Sequence, residues 1–193
     1  MGLLGASGAA LTLLAALAGR SWWLPRAGAQ VLKSFQEDQF QGHWFVLGLA
    51  GNSNSRADRS LLSPFTATFE RSGKRDLEVS YAMNRGTRCI TWSYLLTPMT
   101  QPGQFSVDNG REPGAPVEEL QVHDTDYTNF ALMVSKRQSG SRSILRVYLL
   151  CRMWAVEAKA LEGFACLLKA QGLSEDNVVF PDSADWSSHL SSC

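Results

Sequence analysis

Few residues in this 193-residue chain can do chemistry: four cysteines, three histidines, and an arginine set among apolar neighbours. His43, His123 and His189 are scattered without metal-ligand spacing, so no metal site is expected. Cys89, Cys151, Cys166 and Cys193 would favour pairing in an oxidising compartment. A link from Cys193, the final residue, back to Cys89 would close a loop of about a hundred residues, worth up to roughly 4–5 kcal/mol by loop-entropy arguments. Arg146 stands inside Ile144-Leu-Arg-Val-Tyr-Leu-Leu150. A guanidinium there is suited to holding a carboxylate by paired hydrogen bonds.

Eighteen Lys plus Arg balance eighteen Asp plus Glu, and 45% of residues are hydrophobic. That is a globular composition without the basic excess of a nucleic-acid binder. Residues 1–19 carry no charged side chain, and Ala27-Gly28-Ala29 reads as a signal-peptidase site. The expectation is a signal peptide over 1–29 and one secreted domain over 30–193, with a cut near Ala18 or a retained anchor as alternatives. Residues 1–29 hold Arg20 and Arg26 and no acid, so the remainder has 16 basic and 18 acidic groups, a charge of −2. Whatever it recognises, a shaped and mostly apolar site is a better instrument than long-range charge. No Asn-x-Ser/Thr sequon is present, so N-glycosylation is not expected.

The elements that must position these groups are strands. Phe65-Thr-Ala-Thr-Phe69, Leu77 to Met83, Ile90 to Leu96, Gln104-Phe-Ser-Val107, Val117 to Val122, Asn129 to Ser135 and Ser143 to Leu150 are short β-like runs. Turn residues separate them. Seven or eight such strands predict an all-β fold, an eight-stranded up-and-down antiparallel barrel, since closure removes exposed edges. The period then changes: Ala160, Leu161, Phe164, Leu168 and Gln171 recur at three and four, with Gly172 as a stop. This helix should lie outside the barrel on Leu145, Val147 and Leu149. A further short strand suits Val178-Val-Phe180.

Gly42-His43-Trp44 after Phe40, Thr125-Asp126-Tyr127 before the strand near Asn129, and Arg152 after the last long strand resemble the three signature regions of the kernel lipocalins. The resemblance covers residues 35–193. Phe35-Gln36, Thr91-Trp-Ser-Tyr94 and Pro102-Gly-Gln-Phe105 are similar to the epididymal branch of that family. It implies a calyx whose closed end is plugged by Trp44 under the Arg152 guanidinium, with Asp126 fixing its turn. Gly42, Thr125 and Tyr127 complete this structural signature. It also implies a Cys89–Cys193 disulfide. Cys151 departs from the pattern, where relatives tend to have Gly, and it and Cys166 are expected to be buried free thiols; a disulfide between them is the alternative.

In such a calyx function lies in the lumen, and alternation says which residues point there. Phe65, Ala67 and Phe69 share a face; so do Val79, Tyr81 and Met83, and so do Trp92, Tyr94 and Leu96. Phe105 and Val107, Leu120 and Val122, and Ala131, Met133 and Ser135 continue the set, with Ile144, Arg146, Tyr148 and Leu150 closing it. The ligand contacts expected are Phe65, Ala67, Tyr81, Met83, Trp92, Tyr94, Leu96, Phe105, Leu120, Met133, Arg137, Arg146 and Tyr148. A lumenal Arg146 needs an acceptor, either the head group of an acidic ligand or Glu118. Arg137, in phase with Met133, is a second candidate for that head group or an exposed surface residue. The segment from Gly51 to Ser63 is either a lid over the mouth or a surface linker.

The resemblance implies a non-enzymatic carrier of a small hydrophobic acid, retinoic acid foremost, in the epididymal lumen. The expected protein is a monomer without cofactor, metal or nucleic-acid partner, open to a cell-surface receptor. The competing readings are a prostaglandin-D-synthase-like isomerase and a carrier of siderophores or other lipids. The isomerase needs a lumenal thiolate on the second strand, where this chain has Phe65 and Thr66. A siderophore site would want a more cationic cup.

Overall fold

Alternating burial along strands, with one face apolar, is what closes this chain on itself. The computed structural model describes residues 32–53, 65–73, 76–85, 88–108 and 118–181. A short helix α1 (Glu37–Phe40) leads into β1 (Gly42–Gly51), β2 (Phe65–Ser72), β3 (Asp76–Arg85) and β4 (Arg88–Pro98). These are followed by β5 (Gln104–Asp108), β6 (Glu118–Thr125), β7 (Phe130–Ser139) and β8 (Arg142–Cys151). Consecutive strands pair antiparallel from β2 to β8, and β1 pairs with both β8 and β2, which closes an eight-stranded barrel. The helix α2 (Ala158–Ala170) follows, then a 3-10 turn and the two-residue strand β9 (Val178–Val179), which pairs with β1 from outside.

Two cores result. One fills the lumen, from Phe40, Trp44 and Phe69 at one end up to Phe65, Tyr81 and Leu120. The other lies between the outer wall and α2, where Val147, Leu149 and Cys151 meet Ala160, Phe164 and Leu167. The helix falls where expected, but Leu161 is 44% exposed, and Leu167 takes a place on the buried face with Phe164 and Leu168. Cys166 is exposed on the helix, correcting the expectation of two buried thiols; only Cys151 is buried.

β1 carries a bulge beside the cavity that the alternation rule misses. Its pairing with β8 shifts between Val46 and Gly48, leaving Leu47 as an extra residue that packs on the helix side. Beyond this bulge the phase reverses, so Gly48 faces α2 and Leu49 faces the lumen opposite Tyr148. A Cβ at Gly48 would lie 3.1 Å from the Leu149 Cβ and 3.3 Å from the Phe164 ring. Absence of a side chain there is what lets the helix approach the sheet.

The closed end is built around one guanidinium. Arg152 places its Cζ 3.7 Å from the Trp44 ring centroid. Its Nε donates to the Tyr127 carbonyl (3.1 Å) and its Nη1 to that of His43 (3.0 Å). Its Nη2 donates to the carbonyls of Gln39 (3.0 Å), Phe40 (3.3 Å) and Gln41 (2.9 Å). Gly42 has φ +96°, and a Cβ there would come within 3.2 Å of the Arg152 Nη1, so backbone and space both require glycine. The Trp44 indole donates to the Phe40 carbonyl at 2.9 Å, and Phe40 packs on Trp44 and Phe69 at 5.2 and 4.9 Å.

The turn before β7 is held by Asp126. Its carboxylate accepts from the backbone N–H of Asn129 (2.7 Å), Phe130 (3.0 Å) and Thr128 (3.1 Å), and from the Asn129 side chain. This anchors Tyr127 at φ 65°, unusual for a residue with a side chain. Thr125 accepts from the Tyr127 N–H and donates to the Phe130 carbonyl. Burial alone would raise the Asp126 pKa, but the four donors outweigh it and hold the group below its ordinary 3.8.

Two outcomes are expected. Arg152→Lys keeps the charge but loses the planar fork, and should lower the unfolding free energy by about 2–4 kcal/mol in urea denaturation. Asp126→Ala should cost about 1–3 kcal/mol at neutral pH. Because the folded-state pKa is depressed, that contribution is present above the unfolded value and disappears as pH falls through the lower folded value. The difference between wild type and Asp126→Ala should therefore narrow below about pH 4.

Candidate functional site

Between the packed end and the mouth the barrel encloses a cavity of about 460 Å³. Its size falls within the range of small-molecule sites, roughly 300–1,000 Å³. One wall is aromatic. Phe65 on β2, Tyr81 on β3, and Trp92 and Tyr94 on β4 all face inward because register places Tyr81 opposite both Ala67 and Trp92. Tyr81 and Trp92 stack with centroids 5.3 Å apart and planes 19° apart; Phe65 lies 6.0 Å from each. Met83, Val79, Leu96, Val107, Leu120 and Leu49 supply the aliphatic surface.

The opposite wall carries the polar groups: Glu118 on β6, Ser135 on β7, and Arg146 and Tyr148 on β8. Ser135 is the Cα partner of both Leu120 and Arg146, so it stands between Glu118's strand and Arg146. Its hydroxyl donates to the Glu118 Oε1 at 2.5 Å. Among the described residues, no carboxylate lies within 4.0 Å of the Arg146 guanidinium, so the Glu118 ion pair considered from sequence does not form. Burial pushes the Tyr148 phenol up to about 12; the neighbouring Arg146, which also hydrogen-bonds it, works against that shift, and Glu118 adds to it. The Tyr81 phenol is raised well above its ordinary value, again chiefly by burial. Both are neutral at physiological pH, so among the described residues the charged side chains lining this cavity are Arg146 and Glu118.

Of the expected contacts, Phe65, Tyr81, Met83, Trp92, Tyr94, Leu96, Leu120, Arg146 and Tyr148 line the cavity. Ala67, Phe105 and Met133 do not: they face inward but belong to the packed part of the lumen, where they are 0–2% exposed. Arg137 does not line it either; it is half-exposed on β7, with its Cα opposite Glu118 and Ile144. Val79, Val107 and Ser135 had the inward phase without being expected as contacts. Leu49 escaped notice because its phase follows from the β1 bulge, which no turn residue announces.

Cys89 is disulfide-bonded, and Cys193, its expected partner, lies outside the described residues. So do residues 1–31, most of the expected mouth segment, and His189. Among the described residues, no three His, Cys, Asp or Glu side chains gather as a metal site. Among the described residues, the cavity lining contains no cysteine. Cys151 points to the α2 side, and burial, with the charges of Glu157 and Asp126, lifts its thiol to about 11.

Residues 41–185 match the family model described as the Lipocalin / cytosolic fatty-acid binding protein family. The chain is a lipocalin. Lipocalins typically bind small hydrophobic ligands, and the cavity is of that kind. This lipocalin is 56% identical to epididymal-specific lipocalin-12 of Homo sapiens over 84% of each chain. It is 31% identical to prostaglandin-H2 D-isomerase of Equus caballus, over 83% of this chain and 85% of that one. A solution structure of lipocalin 12 from rat epididymis superposes with a TM-score of 0.79 at 44% identity, covering 85% of this chain and 94% of that one. These matches agree with the signature residues and bear out the barrel with its outer helix.

Thiol reactivity provides a check on the site's surroundings. Iodoacetamide at neutral pH should label Cys166 in the folded lipocalin and leave Cys151 unmodified until denaturant is added, as read by peptide mass spectrometry.

Proposed function

We propose that this lipocalin is a secreted, monomeric, non-enzymatic carrier of a small hydrophobic acid of the retinoic acid type. The observation that carries the reading is Arg146: a guanidinium facing an apolar, aromatic cavity with no carboxylate of the described residues at ion-pair distance. Such a charge gains most from a ligand that brings an acid group to it, because the cavity walls shield both from water in part. The stacked pair of Tyr81 and Trp92 across the cavity offers a flat surface to a conjugated chain. Burying about 300 Å² of apolar ligand there would contribute roughly 7 kcal/mol before association costs. The epididymal relatives support a lumenal role around sperm. Removal of residues 1–29 and pairing of Cys89 with Cys193 are parts of the same proposal.

An isomerase, the activity named in one relative, is the competing reading. Its chemistry needs a thiolate, and Thr66, beside Phe65, offers only a hydroxyl that bonds the Ala82 carbonyl at 3.5 Å. Cys151 is buried under α2 with a protonated thiol, and Cys166 is outside the barrel. These features favour carriage.

Titration of the mature protein with all-trans retinoic acid and with retinol, followed by tryptophan quenching, tests the reading. Saturable binding of the acid is expected; absence of saturable binding by either compound would sink the retinoid assignment. Arg146→Ala should weaken the acid about tenfold to a hundredfold and the alcohol little. Equal losses would remove the carboxylate role, and turnover of prostaglandin H with thiol present would overturn the non-enzyme reading.

A further inference from the structure

Glu118 is the group in the cavity that simple carriage of an acid does not use. It lines the same space as Arg146, yet the two do not form an ion pair. Its Oε1 accepts the Ser135 hydroxyl proton, and no donor among the described residues reaches its Oε2. Ser135 has no second proton to offer a ligand. A carboxylate drawn to Arg146 therefore binds beside a carboxylate whose Oε2 meets no donor of the described residues, which makes a plain acid, retinoic acid included, a weaker partner than an acid that also brings a donor. Tyr148 shows that both charges bear on one spot: Arg146 lowers its pKa while Glu118 raises it. Strand geometry explains the spacing. Ser135 stands between them on β7, opposite Arg146 on one side and Leu120, two residues from Glu118, on the other.

We propose that Glu118 is a specificity-determining residue, and that the cavity selects acids bearing a hydroxyl a few bonds from the carboxylate over the corresponding plain acids. The carboxylate of such a ligand meets Arg146, while its O–H donates to the Glu118 Oε2. Head groups with only one of these functions leave one of the two half-buried charged groups less well partnered. This rests on the reading that Arg146 holds an acid, and it adds the second half of the head-group site. The sequence offers Glu118 only as a partner for Arg146; the hydrogen bond from Ser135 and the missing ion pair are what turn it toward a ligand.

The test compares β-hydroxymyristic acid with myristic acid by isothermal calorimetry on the full mature protein. Wild type should bind the hydroxy acid about ten- to a hundredfold more tightly, the worth of one charge-assisted hydrogen bond. Glu118→Met should bring that ratio to about unity while tightening the plain acid. Equal affinity of wild type for both acids would overturn the proposal without touching the carrier reading, and needs no variant to fold. A ratio unchanged in Glu118→Met, with circular dichroism confirming the fold, would overturn it as well. Failure of both acids to bind would take the acid-carrier reading down with it.

Discussion

The contact between the Arg152 guanidinium and the Trp44 indole is the interaction on which the rest of this barrel depends. One side chain gathers carbonyls from the entry segment, from β1 and from the turn before β7. Those segments are distant in sequence, and each would otherwise present polar backbone to a buried aromatic cluster. A lysine has neither the planar fork nor the reach for this. By closing one end firmly, the contact relieves the other end of any need to fill itself. The cavity is a consequence of where the packing stops.

That boundary lies within single strands. On β2, Ala67 and Phe69 sit in the packed lumen while Phe65, on the same face, lines the cavity. On β7, Met133 is packed and Ser135 is open to the cavity. A smaller plug at Trp44 or Phe40 would let the lumen collapse or fill with water, and the aromatic wall above would lose its rigid base. The Tyr81–Trp92 stack depends on that base, since each ring rests on neighbours that rest in turn on the plug.

Much of this was readable in sequence because period-two alternation on β2, β3, β4, β7 and β8 assigns each side chain to a face. Arg146 is the clearest case: its neighbours Leu145 and Val147 belong to the helix side, so its own direction followed. Alternation assigns a face, not a height along the barrel axis. Ala67, Phe105 and Met133 were therefore read as contacts when they are packing, and Arg137 was read as a contact when it lies off the cavity. It also fails at a bulge, which is how Leu49 was missed. Cys166 lies outside for a different reason: the buried face of the helix is set by Ala160, Phe164, Leu167 and Leu168, and Cys166 falls off that face.

The polar wall shows why position outweighs net charge in a protein of this composition. Eighteen basic and eighteen acidic residues cancel over the whole chain, yet among the described residues the cavity lining holds one of each sign, not joined as an ion pair. Had they met, as an ion pair, each would have satisfied the other and the lumen would be electrically quiet. Ser135, on the strand between them, instead engages Glu118 by a hydrogen bond, which leaves the carboxylate without a cationic partner among the described residues. Tyr81 and Tyr148 stay protonated and add no charge of their own. What remains is a separated pair of opposite charges set in an aromatic cup. Such a pair is most stable when something with complementary polarity meets both, and both line the one cavity.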